Sequence, residues 1–324
     1  DRMHSERGMP NVMHYESLVL TIPEDSLWPH NDMWGLHDFC LEGAQGAASF
    51  MEIVEKAFGP SKDAREFSEY AQWLNYDGYR GIFEGRSEYR RGMLLWMSHP
   101  AWPSLVWQTY DYFFDPTAAY FGCKKASEPL HIQWNPVYDH IEVVNLHARD
   151  HEELRAHAQL INSDGSVQWE KDTLINSNED TTVKCFDLEF PETLSDAHFI
   201  KLTLTGNGKV LSDNFYWRGL EEGNLQSLKD LPKVHLSSRT QRQKTRDGWK
   251  LTTTLTNPSD TPCLMLRLKV TGNKSGERIL PVFYSDNYIS LMPGESKTIT
   301  MSLKRQDTRG ERPVVELTGF NYEP

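Results

Sequence analysis

Apolar residues recur at two different spacings along the 324 residues, and the change falls near Glu128. Before it, the rhythm is helical. Gly43 to Phe58 carries Phe50, Ile53, Val54 and Ala57 at the spacing of one helix face, and Gly59-Pro60 stops it. Ser61 is the expected N-cap of a second helix, with Asp63 in its first turn. The stripe of that helix runs through Phe67, Tyr70, Ala71 and Leu74 and on toward Ile82. Gly92 to Met97 is a short continuous apolar run, the pattern of a parallel strand buried on both faces.

After Glu128 the period drops to two. Ile141 and Val143, then Ile200, Leu202 and Leu204, then Leu264, Leu266, Leu268 and Val270 alternate with other residues. Turn signals separate them at Ser163-Asp164-Gly165, Gly206-Asn207-Gly208 and Gly272-Asn273. Two such sets of about 100 residues each fit two immunoglobulin-like β-sandwiches, meeting near Gly219–Asp230. Asp213-Asn214-Phe215-Tyr216 in one set is echoed by Asp286-Asn287-Tyr288 in the other, too short a match for a repeat. The expected divisions are 1–127, 128–222 and 223–324. A complete eight-fold β/α barrel needs about 250 residues, so the leading region is expected to be half a barrel or something smaller.

Composition narrows the partners. With 34 Lys+Arg against 46 Asp+Glu the net charge is −12, which argues against nucleic acid and anionic lipid. No apolar run reaches the length of a membrane span. The first residues lack a signal-peptide pattern and an initiator Met, as in a trimmed product or a fragment. Cys40, Cys123, Cys185 and Cys263 have no metal-type spacing and are expected to be unpaired thiols. No metal and no cofactor is expected. Seven of the 10 Trp fall in the first 134 residues.

Two stretches could carry chemistry. Ser5-Glu6-Arg7-Gly8 sets a carboxylate just after a short strand, where barrel enzymes keep catalytic groups. Such a carboxylate can attack an anomeric carbon or hold charge in an oxocarbenium-like transition state. An isolated Glu at a loop start is also an ordinary solvated residue. Trp96, His99, Trp102 and Trp107 follow the apolar run directly, and indole faces suit the C–H faces of sugar rings. The alternative is that these Trp close the barrel mouth or the barrel–sandwich interface. Trp34 and His37 lie in a second aromatic loop, where His30, Asp32, His37 and Asp38 match no specific metal template.

These residues resemble glycoside hydrolase family 2, in the branch of exo-β-D-glucosaminidases and plant endo-β-mannosidases. Trp96 to Gln133 (WMSHPAWPSLVWQTYDYFFDPTAAYFGCKKASEPLHIQ) is similar to the stretch that spans the last barrel strand and enters the next sandwich. Ser5-Glu6-Arg7-Gly8-Met9-Pro10 resembles the S-E-x-G segment of the seventh strand. Ser285 to Glu295 is similar to the D-N-x-x-x-L-x-P-G-E run of the last sandwich. The chain departs from the family's usual pattern at His99, where Asn or Gln is common, and at Arg7, where a small or apolar residue follows the Glu.

The resemblance implies the tail of a (β/α)8 barrel followed by two sandwiches. It implies a retaining β-glycosidase acting on terminal β-linked sugars, glucosaminide first, mannoside or galactoside as alternatives. Glu6 would be the nucleophile, with Trp96, Trp102 and Trp107 shaping the sugar sites and Trp34, His37 and His99 lining the cleft. The acid/base would lie upstream, since Glu16, Glu84 and Asp111 do not match its context. The expected partners are an oligosaccharide or glycoside and either the upstream part of the same enzyme or a second copy. Periplasmic or secreted location follows by analogy only. The rival reading is a non-catalytic carbohydrate-binding or interaction module built on the sandwiches.

Overall fold

The computed structural model describes residues 3–42, 46–85, 92–105 and 107–324. Among the described residues the leading region carries five α-helices: α1 (Tyr15–Thr21), α2 (Asp32–Leu36), α3 (Ala47–Phe58), α4 (Ala64–Glu84) and α5 (Ala118–Ala126). With them are two strands, β1 (Met3–Arg7) and β2 (Gly92–Leu95), paired in parallel with Met3 opposite Gly92 and Arg7 opposite Leu95.

Helix α4 is capped by Asp63, not Ser61: its carboxylate accepts from the Glu66 amide at 2.8 Å. Glu66 in turn accepts from the amide of Lys62, the residue before the cap, at 2.8 Å, so cap and first turn are tied from both sides. The stripe expected on α3 is rotated at one position, because Ile53 is 51% exposed while Phe58 is buried against α4. The strand expected to be buried on both faces is half-open, with Leu94 52% exposed. The described helices cover only part of this small sheet.

Beyond α5 the chain is all β. The first sandwich comprises β3 (Leu130–Asn135), β4 (His140–Asn145), β5 (His151–Asn162), β6 (Val167–Ser177), β7 (Thr181–Asp187), β8 (Ala197–Gly206) and β9 (Lys209–Gly219). Its sheets run in the orders β3-β4-β7 and β6-β5-β8-β9. The period-two residues Ile141, Val143, Ile200, Leu202 and Leu204 fill the space between them. Asn207 and Gly208 both hold positive φ in the β8–β9 hairpin, as a two-residue turn of this hand requires.

The second sandwich comprises β10 (Ser237–Lys244), β11 (Gly248–Thr256), β12 (Cys263–Gly272), β13 (Phe283–Tyr284), β14 (Ile289–Leu291), β15 (Ser296–Lys304) and β16 (Pro313–Thr318). Its sheets are β10-β11-β15-β13 and β14-β12-β16. Strand β12 is buried on nearly every residue, because its outer face meets the helical region. The core of this sandwich is therefore continuous with the core of the helices, while the first sandwich keeps a largely separate one. The four cysteines stand free, and burial pushes the Cys123, Cys185 and Cys263 thiols up to about 12.

Candidate active site at the ends of the parallel strands

Glu6 lies near the C-terminal end of β1 with an exposed side chain, beside the segment that follows β2. Arg7 accepts a backbone hydrogen bond from Trp96 at 2.8 Å, which brings the two strand ends into register. A Cβ on Gly8 would fall 2.1 Å from the Trp96 carbonyl oxygen and 3.2 Å from Trp107 Cβ. Only glycine allows so close a crossing. The loop after β2 then folds back on itself: the Met97 amide donates to the Trp107 carbonyl at 3.0 Å, and the Thr109 amide to Ser98 at 3.0 Å. Trp96 and Trp107 are thus brought to the residues just after Glu6, and Trp96 remains 48% exposed.

A second group stands alongside. His37 bonds the Pro103 carbonyl through Nδ1 at 2.7 Å, and its ring stacks on Trp102, 5.4 Å between centroids. The Leu105 amide donates to the His37 carbonyl at 2.9 Å, strapping the two loops together. Trp102 is 45% exposed, so part of its indole meets solvent. His99 stacks on Phe114 at 4.6 Å, and its Nε2 is buried without a partner, as is the Trp107 indole nitrogen.

One expectation fails here. Trp34 is fully buried, donates its indole N–H to the Leu27 carbonyl and packs against Trp28, Phe39 and Phe67. It is a core residue, not a cleft wall. The loop residues His30, Asp32, His37 and Asp38 form no ligand cluster, since His30 bonds the Phe39 carbonyl and His37 that of Pro103.

The loop carrying on from Glu6 is held by a polar stripe on α4 that periodicity did not reveal. Ser68, Gln72, Asn75 and Tyr79 recur at one helical face and donate to the carbonyls of Met13, Val12, Pro10 and Met9, at 2.9, 2.5, 2.7 and 2.9 Å. The four backbone acceptors of a buried loop are met by one helix.

Beneath that loop lies a charged knot joining it to the second sandwich. Asp115 receives His14 at 3.1 Å, Arg267 at 2.9 Å and Arg278 at 2.6 Å. Glu16 receives Arg267 and Lys269, each at 3.2 Å. Burial works to raise both carboxyls, but these cations outweigh it and hold them well below the usual range. Asp111, which accepts from Ser17, is pushed up by burial and by neighbouring Asp115. Among the described residues His14, Asp111 and Asp115 form the one group of three with ligand atoms close enough to hold a metal ion. Two guanidinium groups already occupy Asp115, so an ion there would face their positive charge, and the geometry is that of an ion-pair knot.

A second knot joins α4 to the first sandwich. Glu84 accepts from Asn214 at 2.7 Å and Tyr216 at 3.0 Å and pairs with His131 Nε2 at 2.9 Å. Arg80 donates to Asn214 and to the Phe215 carbonyl, its guanidinium lying 3.9 Å over the Tyr216 ring. Glu84 and Asp111, set aside as acid/base candidates on context, are thus occupied by structural partners. So is Glu16.

Comparison with known proteins agrees with this architecture. Residues 140–219 match the family described as mannosidase Ig/CBM-like domain, and residues 214–322 the exo-β-D-glucosaminidase Ig-fold domain. The chain is 28% identical over 328 residues to an exo-β-D-glucosaminidase of Amycolatopsis orientalis, covering 92% of this chain and 32% of that protein. It is 30% identical over 296 residues to the exo-β-D-glucosaminidase of Streptomyces avermitilis, covering 82% and 33%. It is 25% identical over 358 residues to a mannosylglycoprotein endo-β-mannosidase of Lilium longiflorum, covering 90% and 37%. The crystal structure of the Amycolatopsis orientalis exo-chitosanase CsxA superposes with a TM-score of 0.88 at 25% identity, over 98% of this chain and 41% of that one. The chain thus spans about a third of the length of the curated relatives it matches. By sequence and by fold it belongs to the exo-β-D-glucosaminidase and endo-β-mannosidase family within the family 2 glycoside hydrolases, where it matches a C-terminal portion of larger proteins.

Proposed function

We propose that this chain contributes the nucleophile to a retaining β-glycosidase that hydrolyses terminal β-linked sugars, glucosaminides by preference. In this reading Glu6 attacks the anomeric carbon from the end of β1 and forms a glycosyl ester. Water then hydrolyses the ester, activated by a second carboxyl about 5–5.5 Å away. That carboxyl comes from a part of the full-length protein outside this chain. Trp96 and Trp107 stack on the sugar bound next to Glu6, and Trp102, braced by His37, lies further along the cleft with His99. The same reading divides the chain into a barrel part, 1–127, and immunoglobulin-like sandwiches at 128–222 and 223–324.

The observation that carries it is the convergence of an exposed carboxylate with Trp96 and Trp107 at the C-terminal ends of two parallel strands. Family 2 relatives named as glucosaminidases support the substrate class. The test uses the full-length protein and an aryl β-glucosaminide. Glu6→Ala should lower kcat by at least 1000-fold, and azide should rescue turnover with release of the α-glycosyl azide. Activity that survives the substitution, or is lost without azide rescue, overturns the assignment of Glu6.

A further inference from the structure

The two sandwiches do not meet flush. Between them lies a cleft of about 360 Å³, with Tyr76 of α4 and Lys125 of α5 also in its lining. One wall is the side of β8 and β9 turned away from their own sandwich core. There Lys201 stands opposite Phe215 and Thr203 opposite Asp213, while Ile200 and Tyr216 lie in the core on the other side. The facing wall belongs to the second sandwich: Asp286, Ser290 on β14, and Glu295 with Ser296 and Lys297 where β15 begins.

Ion pairs bridge the walls. Asp213 takes Lys125 at 2.7 Å and Lys297 at 3.2 Å, Lys297 reaches Asp286 at 2.8 Å, and Lys201 donates to Glu295. Burial works to raise Asp213, but Lys125 and Lys297 outweigh it and hold its carboxyl well below the usual range. The pairs border open space and do not seal it, since the side chains of Asp213, Glu295 and Lys297 stay 44, 32 and 30% exposed.

We propose that this cleft is a carbohydrate site that takes a neutral saccharide of one or two rings. Its lining carries three cations (Lys125, Lys201, Lys297) and three carboxylates (Asp213, Asp286, Glu295), so no net charge draws an ion in. A free anion meets the carboxylates, and a free cation meets the ammonium groups. A sugar hydroxyl uses both at once, accepting from an ammonium and donating to a carboxylate. Hydrogens remain for it on each ammonium: among the described residues Lys201 spends one on Glu295, and Lys125 and Lys297 spend two each on carboxylates. Thr203, Ser290 and Ser296 add hydroxyls, and the Phe215 ring offers an apolar face for the C–H side of a pyranose. The volume is near the lower end of the ~300–1,000 Å³ of small-molecule pockets, which fits a short saccharide and not a polymer segment. The lining shares no residue with the group around Glu6, so binding here does not depend on whether Glu6 is the nucleophile.

The test titrates the full-length protein with cellobiose, followed by calorimetry and saturation-transfer NMR. Thr203→Trp fills the cleft and removes no ion pair, and it should weaken binding at least tenfold. Lys201→Gln takes away a donor and should weaken it at least threefold. Both variants should keep the parent's circular dichroism spectrum and its rate on an aryl β-glucosaminide. Trp102→Ala should leave the affinity for cellobiose unchanged, and inorganic phosphate should bind at least tenfold more weakly than cellobiose. If Thr203→Trp does not fold, Lys201→Gln decides alone. No binding of cellobiose, unchanged affinity in a folded cleft variant, loss of affinity in Trp102→Ala, or phosphate bound as tightly overturns the site.

Discussion

The Trp96 carbonyl occupies the place where a side chain on Gly8 would begin. Two loops that each carry part of the proposed sugar site therefore touch backbone to backbone, two residues after Glu6. Gly8→Ala must push them apart, because the obstacle is backbone and cannot rotate away. In the full-length protein kcat/KM should fall at least tenfold, with thermal stability reduced as well. Steady-state kinetics and a melting curve check both.

Asn75 is expected to matter to folding through one bond. Its amide donates to the Pro10 carbonyl from a buried position on α4. Asn75→Leu would leave that carbonyl unsatisfied, at a cost of about 1–3 kcal/mol. Urea denaturation of the chain should show a lower midpoint with an unchanged slope.

Arg267 carries a larger share. Among the described residues it alone pairs with both Asp115 and Glu16. Arg267→Met would leave the buried Asp115 and the half-buried Glu16 with fewer cations, a loss of roughly 3–5 kcal/mol. If Glu16→Gln is combined with it, the double variant should lose less than the sum of the singles, as expected of a shared pair.

The two aromatic groups should separate cleanly. Trp34→Ala removes a fully buried ring and should cost about 3–5 kcal/mol of stability. Trp102→Ala removes a half-exposed ring stacked on His37 and should leave the melt nearly unchanged while raising KM for an oligosaccharide. A reversed pattern would show that the indole faces are misassigned.

Stability should peak in mildly acidic solution. Glu16 and Asp115 have folded values below their ordinary 4.5 and 3.8, so their contribution is full above those values and lost as pH falls through the lower folded ones. His131 has the opposite sign. Burial lowers it, but Glu128 and Glu84 raise it more, so its contribution is full below 6.5 and lost as pH rises through the folded value. Urea midpoints from pH 3 to 9 should therefore fall on both sides. Glu16→Gln should flatten the acid limb and His131→Gln the alkaline one.

Periodicity located β4 and β8 because each buries one face more than the other, and it located β12 although the helical region covers that strand's second face. It misjudged Ile53 and the Gly92 run because burial depends on what covers a face, which lies elsewhere in the chain. Ser61 and Asp63 are both competent caps, and only the observed turn separates them. The polar stripe of α4 was invisible because Ser68, Gln72, Asn75 and Tyr79 answer a loop 55 to 70 residues earlier. The exposed Trp96 and Trp102 were legible from their place after an apolar strand. Trp34 has the same composition around it and differs only in packing.

Helix α4 meets both sandwiches, the first through Arg80 and Glu84 and the second through Gln72, whose oxygen accepts from Tyr288. In recombination between relatives, this makes the helix and its two β partners one unit of inheritance. A chimera that cuts at residue 127 would pair a foreign Asn214 or Tyr288 with a native α4 and break buried bonds at both ends. A cut that carries residues 64–84 along with the sandwiches keeps those bonds native, and moves the mismatch to the carbonyls of Met9, Pro10, Val12 and Met13.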